Sequence, residues 1–298
     1  MIQKILLAMF QTAFKITEML FPALAGKWAV QLFFTPRTFT RPSWEANFLK
    51  AARKMKVPFK SDFKMGGHED YYMRYEWGDK GPAILLVHGW EGRGSQMGHF
   101  VEPLVEAGYR VISFDAIAHG DTPGKRTNMP EFAQIIKDID KDVGGFHAII
   151  GHSLGGTAAG YAVAEGAHTD KLITICSPTT IEFIFEAFAQ QIHASKKTIG
   201  RLSQFLENFT GKNSREFSFT NFVTQLDVPG FIIHDQKDKE IPYSQALALH
   251  QNWRESQFIL TEGLGHRRIL KSEGINLKII NLVKNEPYKT KLKSVASY

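Results

Sequence analysis

Short apolar runs alternate with amphipathic segments over most of the chain. The runs at 83–87, 110–114, 147–150, 171–175, 231–233 and 257–260 have the length and the β-branched content of buried strands. The segments between these runs place apolar residues at helical spacing. This alternation predicts an α/β fold, in which a mostly parallel central sheet is covered by helices on both faces.

The chain before residue 83 follows two other patterns. Polar and apolar residues alternate from Val57 to Trp77, and Gly66-Gly67 divides this stretch, which predicts an antiparallel hairpin at one edge of the sheet. Residues 1–56 are predicted to form a helical extension. It contains one helix over the first 24 residues and another from Trp44 to Met55.

Three roles are open for the first helix. It can pack on the body of the molecule, form a homodimer contact or lie on a membrane surface. Packing is the favoured role, and membrane-surface binding is the least favoured because few lysines flank the apolar positions. The longest apolar run, Ile5 to Phe10, is too short to span a bilayer, so no membrane span is expected.

Composition narrows the class of protein. With 298 residues and 43% hydrophobic content, the chain can bury a large core. The net charge of +6 arises from scattered lysines, so nucleic-acid binding is not expected. Cys176 is the only cysteine, which excludes an internal disulfide and suits a reducing compartment. Because Lys15 and Glu18 interrupt any signal-peptide core, we expect a cytoplasmic protein.

The segment Gly151-His152-Ser153-Leu154-Gly155 places a serine between a predicted strand and a run of small residues with helical character. A serine hydroxyl is a poor nucleophile unless it is held exposed beside a base, which a sharp strand-to-helix turn achieves. Such a turn needs glycines two positions before and two after the serine, because larger side chains would collide there. The backbone N–H of Leu154 then points to where an oxyanion would form.

With this motif the chain resembles the α/β-hydrolases, in which the serine is followed along the chain by an acid and then by a histidine. The resemblance implies a catalytic domain over 57–176 and 227–286, with a helical cap inserted at 177–226. It also implies that His88-Gly89-Trp90 supplies a second oxyanion donor, the backbone N–H of Trp90. The tail at 287–298 is lysine-rich and has little to bury, so it is expected to be mobile.

Two downstream loops fit the remaining positions of that order. After the run at 231–233 the chain reads His234-Asp235-Gln236-Lys237-Asp238, in which Asp238 matches the family's triad acid and Asp235 is the alternative. A glycine-flanked histidine, His266, follows the last predicted strand and is assigned as the base. His119 lies in a loop that is structural in the family, so it is not assigned as the base.

Eight phenylalanines fall in the predicted cap, where they would form either an apolar acyl pocket or the core of the cap itself. We expect most of them in that core and two or three to face Ser153. The residues assigned to substrate binding are His88, Gly89, Trp90, His152, Phe183, Phe185 and Phe188.

These residues together predict a serine hydrolase that cleaves small-molecule carboxylic esters through an acyl-enzyme, with no metal and no organic cofactor. A thioesterase, an amidase or an acyltransferase would use the same groups, and a ligand-binding protein could keep the fold with little turnover. Proteins that resemble dehalogenases or epoxide hydrolases need an aspartate in the place of Ser153, so those two activities are excluded.

Overall fold

The computed structural model describes residues 2–66 and 70–284, and within these ranges eight strands form a single sheet. The strands are β1 (Arg53–Pro58), β2 (Tyr71–Trp77), β3 (Ala83–Val87), β4 (Arg110–Asp115), β5 (Ala148–His152), β6 (Leu172–Ile175), β7 (Gly230–Asp235) and β8 (Ser256–Thr261). Their order across the sheet is β1-β2-β4-β3-β5-β6-β7-β8. The β1–β2 and β2–β4 pairs are antiparallel, and the remaining pairs are parallel.

Twelve helices are present in the described ranges, together with short 3-10 turns. They are α1 (Ile2–Leu20), α2 (Pro22–Phe33), α3 (Ser43–Lys50), α4 (Val101–Glu106), α5 (Met129–Val143), α6 (Leu154–Ala164), α7 (Ile181–Ile192), α8 (Lys196–Thr210), α9 (Phe219–Phe222), α10 (Tyr243–Asn252), α11 (Gly265–Arg268) and α12 (Glu273–Val283). The helices α7, α8 and α9 lie between β6 and β7, and we call this segment, residues 177–226, the insertion.

Apolar side chains fill both faces of the sheet. Along β3, Leu85 and Val87 belong to one core, whereas Ile84 and Leu86 belong to the other, as the pleat of a strand requires. The helices α5, α6 and α10 contribute to the first core, and α4 and α12 contribute to the second. The predicted α/β fold, with a mostly parallel sheet and helices on both faces, is therefore confirmed.

The order of the strands reverses at β3. The chain crosses from β3 to β4 on one side and then returns to place β5 on the other side of β3. In sheets of this kind, the loops at the carboxyl ends of the two central strands diverge and leave a crevice. The pairing of Val87 with Gly151 and of His152 with Ile175 brings the ends of β3, β5 and β6 to one level. The loops that carry the predicted site residues leave the sheet at this edge.

The sheet begins earlier in the chain than the sequence predicts. The helix α3 ends at Lys50, and the residues predicted to complete it form the start of β1. In β1 the half-buried Met55 and Val57 alternate with exposed residues, a period of two that fits a strand paired on one edge. The helical extension therefore ends before Arg53, and not at residue 56.

The predicted antiparallel pairing is confirmed between β1 and β2, but the first strand is Arg53–Pro58, so the stretch 59–66 predicted to belong to it lies in the connection. Gly67, part of its predicted turn, lies outside the described residues, and so does the tail at 287–298. The division of the chain into an extension, a catalytic domain and a cap stays a prediction.

The helices α1 and α2 pack against the insertion. Phe14 is fully buried in a small cluster with Ala25, Ala29 and Ile192 of α7. The carboxylate of Glu18 accepts a hydrogen bond of 2.7 Å from the Ser195 hydroxyl, at the start of α8. Packing of the first helix is thus observed, although its partner is the insertion and not the sheet. No helix in the described ranges combines the length and the apolar content needed to cross a membrane.

Replacing Phe14 with alanine should release α1 from the insertion. The substitution removes a fully buried aromatic ring, and we expect a loss of about 3 kcal/mol in the free energy of packing. Hydrogen–deuterium exchange should accelerate in α1 and α2 and remain unchanged in the central strands. The control is Ile16→Ala on the exposed side of α1, for which we expect a change below about 0.5 kcal/mol. Equal effects of the two variants would contradict the observed packing.

Candidate active site

Ser153 occupies a sharp turn between β5 and α6. Its backbone has φ 53° and ψ −130°, a left-handed conformation that residues with a Cβ rarely adopt. A Cβ added to Gly151 would lie 2.5 Å from the Cα of Gly156. A Cβ added to Gly155 would lie 2.4 Å from the carbonyl oxygens of Val87 and His88. The prediction that the turn needs glycines two positions before and two after the serine is confirmed.

The loop after β3 lies directly against this serine. A Cβ on Gly89 would be 2.7 Å from the Cβ of Ser153 and 3.3 Å from its Oγ, so only a glycine allows the approach. The next residue, Trp90, is half-buried, and its ring centroid lies 5.3 Å from that of His119. Leu154 is the first residue of α6, where a helix has backbone N–H groups without intrahelical partners.

The side chain of His88 has a structural role. It is fully buried, its Nε2 accepts the backbone N–H of Ala116 at 3.1 Å, and its Nδ1 donates to the carbonyl of Gly89 at 2.7 Å. Burial holds the pKa of His88 well below its ordinary value, so the ring is neutral. The assignment of His88 to substrate binding is therefore wrong for its side chain, because both ring nitrogens are committed to the backbone.

His119 joins the same two loops from the other side. Its Nε2 accepts the backbone N–H of Glu91 at 3.0 Å, and its Nδ1 donates to the carbonyl of Ile117 at 2.9 Å. Burial lowers the pKa of His119 to about 4. These contacts agree with the prediction that His119 is not the base, since neither ring nitrogen is free to take a proton from Ser153.

Asp238 and His266 meet at the carboxyl end of β7 and β8. The Oδ2 of Asp238 lies 2.8 Å from the Nδ1 of His266, and Oδ1 accepts the backbone N–H groups of Glu240 at 2.8 Å and Ile241 at 2.9 Å. Burial raises the pKa of Asp238, but the hydrogen bond and the charge interaction with His266 outweigh it, so the pKa lies below its ordinary value. Since Nδ1 is bonded to Asp238, Nε2 is the ring nitrogen of His266 that could exchange a proton with another group.

Asp235, the alternative acid, is bonded elsewhere. Its carboxylate accepts hydrogen bonds from the Thr261 hydroxyl at 2.8 Å, the Leu264 N–H at 2.9 Å and the Lys237 N–H at 3.0 Å. These contacts tie the loop after β7 to the loop after β8. The structure thus brings Asp238 to His266, and it uses Asp235 to hold the two loops together.

His152 has a role that the sequence does not reveal. It is buried, its Nε2 donates to the backbone carbonyl of His266 at 2.9 Å, and the two ring centroids are 4.8 Å apart. Burial and the charge interaction with His266 lower the pKa of His152 to about 3, so the ring is neutral. The predicted role of His152 in substrate binding is therefore wrong for its Nε2. This nitrogen instead holds the backbone of His266 close to the turn of Ser153, which His152 directly precedes.

Asp115 is a second residue whose role becomes visible only in the fold. It is fully buried and accepts the backbone N–H groups of Gly94 and Asp121, each at 2.7 Å, and the hydroxyl of Tyr75 at 2.7 Å. Gly94 belongs to the loop that begins at His88. Asp115 therefore anchors the far end of the loop that lies against Ser153.

Cys176 also lies beside the acid. Three possible metal ligands lie within 4.8 Å of one another, namely the Sγ of Cys176, a carboxylate oxygen of Asp238 and a ring nitrogen of His266. A metal there would have to displace the hydrogen bond between Asp238 and His266. It would also have to deprotonate a thiol whose pKa is raised by burial and by Asp238. The contacts fit an acid and base pair better than a metal site.

Most rings of the insertion pack within the protein. Phe185 is buried, and its ring centroid lies 5.3 Å from that of Phe33 in α2, while the Phe188 ring lies 5.1 Å from the same partner. Phe217, Phe219 and Phe222 are buried as well. The assignment of Phe185 and Phe188 to substrate binding is therefore corrected to packing, as α2 covers them. Phe183 is partly exposed, and its assignment stays a prediction.

Comparison with known proteins supports the resemblance. The model of the alpha/beta hydrolase family matches residues 84–274 of this chain. The protein phosphatase methylesterase 1 of Rattus norvegicus is 25% identical over 122 residues. That match covers 38% of this chain and 31% of the relative, so the chain spans about a third of the length of this curated relative.

Two solved structures share the fold. An esterase from Exiguobacterium antarcticum has a TM-score of 0.59 and 18% identity, and the match covers 77% of this chain and 100% of that chain. A bromoperoxidase from Bacillus anthracis has a TM-score of 0.59 and 17% identity, with coverage of 78% and 100%. Because an esterase and a bromoperoxidase share this architecture, the fold does not fix the chemistry.

Replacing Gly155 with alanine should destabilise the turn. The added methyl group would lie 2.4 Å from two carbonyl oxygens of the backbone, which cannot move without disturbing β3. We expect a loss of about 3 kcal/mol in the free energy of unfolding, measured by denaturant titration. In the control Gly200→Ala, no atom lies within 4 Å of the new methyl group in α8, and we expect a gain of about 0.5–1 kcal/mol. Similar shifts in the two variants would refute the argument from close packing.

Proposed function

This chain belongs to the alpha/beta hydrolase family, and on that premise we propose that it is a serine hydrolase that cleaves carboxylic esters through an acyl-enzyme intermediate. One observation carries the proposal. The buried pair of Asp238 and His266, joined at 2.8 Å, packs against the residue that precedes the strained Ser153. A serine in an exposed turn, a histidine and a carboxylate are the groups that acyl transfer needs.

In the first half of the proposed reaction, the Oγ of Ser153 attacks the carbonyl carbon of the ester while the Nε2 of His266 takes the hydroxyl proton. The carboxylate of Asp238 holds Nδ1 as the protonated nitrogen and stabilises the charged ring. The tetrahedral intermediate then collapses. Its bond to the alkoxy group breaks, and the proton on Nε2 passes to the leaving alcohol.

The second half repeats these steps with water. His266 takes a proton from the water molecule, which attacks the acyl carbon, and the acid is released as the proton returns to the Oγ of Ser153. Balance requires one water molecule for each ester cleaved and no other reactant, so the proposal calls for no metal and no organic cofactor.

The backbone N–H groups of Trp90 and Leu154 are proposed to bind the oxyanion. The approach of Gly89 to Ser153 supports this role, because it places the loop of Trp90 at the reacting centre. The position of Leu154 at the N-terminus of α6 adds the favourable end of the helix dipole. Each such donor contributes about 3–4 kcal/mol to the stability of the transition state.

Two further points favour an ester as the substrate. The curated relative is named as a methylesterase, and one of the matched structures is titled an esterase. We propose that the ring of Trp90, which follows Gly89 in the loop against Ser153, bounds the acyl group and that the partly exposed Phe183 contributes to the same boundary. We propose that the natural substrate is a small-molecule acyl ester, met in the cytoplasm.

Hydrolysis of p-nitrophenyl esters from acetyl to palmitoyl tests the nucleophile. We expect turnover by the wild type, and a decrease of kcat/KM by at least about 10⁴-fold in Ser153→Ala, because the variant has no group to form the acyl-enzyme. The matched control is Ser203→Ala in α8, which should keep the activity of the wild type. Retention of activity by Ser153→Ala, or absence of turnover by the wild type with every ester, would overturn the proposal.

The two acids of one loop provide a second test. Asp238→Asn should lower kcat by about 10³–10⁴-fold, because an amide cannot hold His266 in the required tautomer. Asp235→Asn should leave kcat within about tenfold and lower the free energy of unfolding by about 1–3 kcal/mol, since it weakens two hydrogen bonds to Thr261 and Leu264 and one to Lys237 within its own loop. The reverse pattern, with activity lost mainly in Asp235→Asn, would reassign the acid. Urea titration and steady-state kinetics measure both quantities.

A further inference from the structure

The outward side of α1 exposes large apolar residues between Ile5 and Leu20. Met9 is 64% exposed and Met19 is 75% exposed, although both are large hydrophobic residues. The exposed surface continues past the end of α1 into the start of α2. We call this surface the apolar face, and it consists of Ile5, Leu6, Met9, Ile16, Met19, Leu20, Phe21 and Leu24.

The opposite side of the same helix is already occupied. Phe14 is buried between α2 and α7, and Glu18 is bonded to Ser195 and Thr198 of the insertion. A surface helix normally turns its polar side to solvent, whereas α1 exposes large aliphatic residues from Ile5 to Leu20, a length of about 24 Å. A contiguous exposed apolar surface of this extent is characteristic of an interaction site.

The charges around the apolar face have one sign. Lys15 and Lys27 are exposed beside it, and in the described part of the chain neither forms an ion pair. Glu18 is the only acidic residue between residues 2 and 33, and its carboxylate is used by the insertion.

We propose that the apolar face docks on an anionic lipid surface, with the aliphatic side chains entering the acyl layer and the lysines lying among the headgroups. An interfacial helix of this type needs an apolar side and flanking cations, and both are present. The sequence disfavours this role because few lysines flank the apolar positions of α1. Folding adds Lys27, which is exposed one helical turn after Leu24 of the apolar face.

A second copy of the chain fits the same surface less well. Two apolar faces in contact would bring the lysines of both copies together, and no acidic residue of α1 or α2 is free to pair with them. An anionic membrane provides both an apolar layer and the opposite charge. The proposed docking is independent of the ester hydrolysis proposed above.

The apolar face is linked to the candidate active site through α2. The helix α2 ends at Phe33, which packs against Phe185 and Phe188 of the insertion. Four residues later, Arg37 forms two hydrogen bonds of 2.8 Å with Glu91, the residue after Trp90. The docking helices are thus linked by direct contacts to the loop beside Ser153.

Co-sedimentation with vesicles tests the proposal on the full-length chain. We expect at least about tenfold stronger binding to equimolar phosphatidylglycerol and phosphatidylcholine than to phosphatidylcholine alone. Ile16→Glu/Met19→Glu should lower binding to the anionic vesicles by at least about tenfold, because two charges would enter the acyl layer. The matched control is Leu277→Glu on α12, where an equally exposed leucine (63%) lies outside the apolar face, and it should bind like the wild type.

A second pair of variants leaves the apolar residues intact. Lys15→Gln/Lys27→Gln should lower binding to the anionic vesicles by about tenfold and leave the circular dichroism spectrum unchanged. If Ile16→Glu/Met19→Glu does not fold, Lys15→Gln/Lys27→Gln tests the proposal by itself. Hydrolysis of p-nitrophenyl acetate in solution should be the same in all variants, which separates docking from catalysis.

Three results would overturn the proposal. One is the absence of wild-type binding to anionic vesicles, and another is unchanged binding in both pairs of variants. The third comes from sedimentation velocity without lipid. If the wild type is a dimer that Ile16→Glu/Met19→Glu converts to a monomer, and neither binds vesicles, the apolar face is a subunit interface.

Discussion

The rest of the candidate site depends on the backbone of Ser153, which is held at φ 53° and ψ −130°. A residue with a Cβ pays about 1–3 kcal/mol for such a conformation and keeps it only where surrounding contacts outweigh the cost. Here β5 is fixed by pairing with β3 and β6, and α6 packs back onto the sheet with glycine backbones in contact. The turn is thus set by the two elements that it joins.

Buried polar groups around this turn are satisfied mainly by the backbone. Asp115, Asp235 and Asp238 each accept backbone N–H groups, which offset the loss of hydration on burial. His88 and His152 are bonded to backbone carbonyls and are kept neutral by burial. Because these two rings carry no charge, they do not compete with His266 for the carboxylate of Asp238. The edge of the sheet thereby presents one polarised acid and base pair.

The N-terminal extension lies outside the region matched by the family model, yet it is joined to the body by specific contacts. Phe33 packs on the insertion, the carbonyl of Phe34 accepts the N–H of Thr127 at 3.0 Å, and Arg37 pairs with Glu91. These contacts connect α2, the insertion and the loop beside Ser153. The apolar face of α1 is consequently connected to the candidate site through α2, although in the described part of the chain α1 contributes no group to that site.

The sequence by itself determined the features that depend on short stretches of chain. These features are the apolar runs of strand length, the glycines two positions either side of Ser153, and the order of Ser153, Asp238 and His266. Each depends on local sequence or on a fixed topology, and each agrees with the contacts observed. The α/β class follows from the same patterns, because buried strands must be apolar on both sides.

Tertiary structure alone decided the features that depend on contacts between residues far apart in the sequence. The first strand begins at Arg53 because β2 offers an edge to pair with, and Asp235 is bonded to Thr261 because two loops converge there. The imidazoles of His88 and His152 form hydrogen bonds with backbone groups, and Phe185 packs against α2. No local sequence pattern predicts these contacts. Likewise, the sequence shows the apolar positions of α1, and only the packed neighbours decide which of them are buried and which remain exposed.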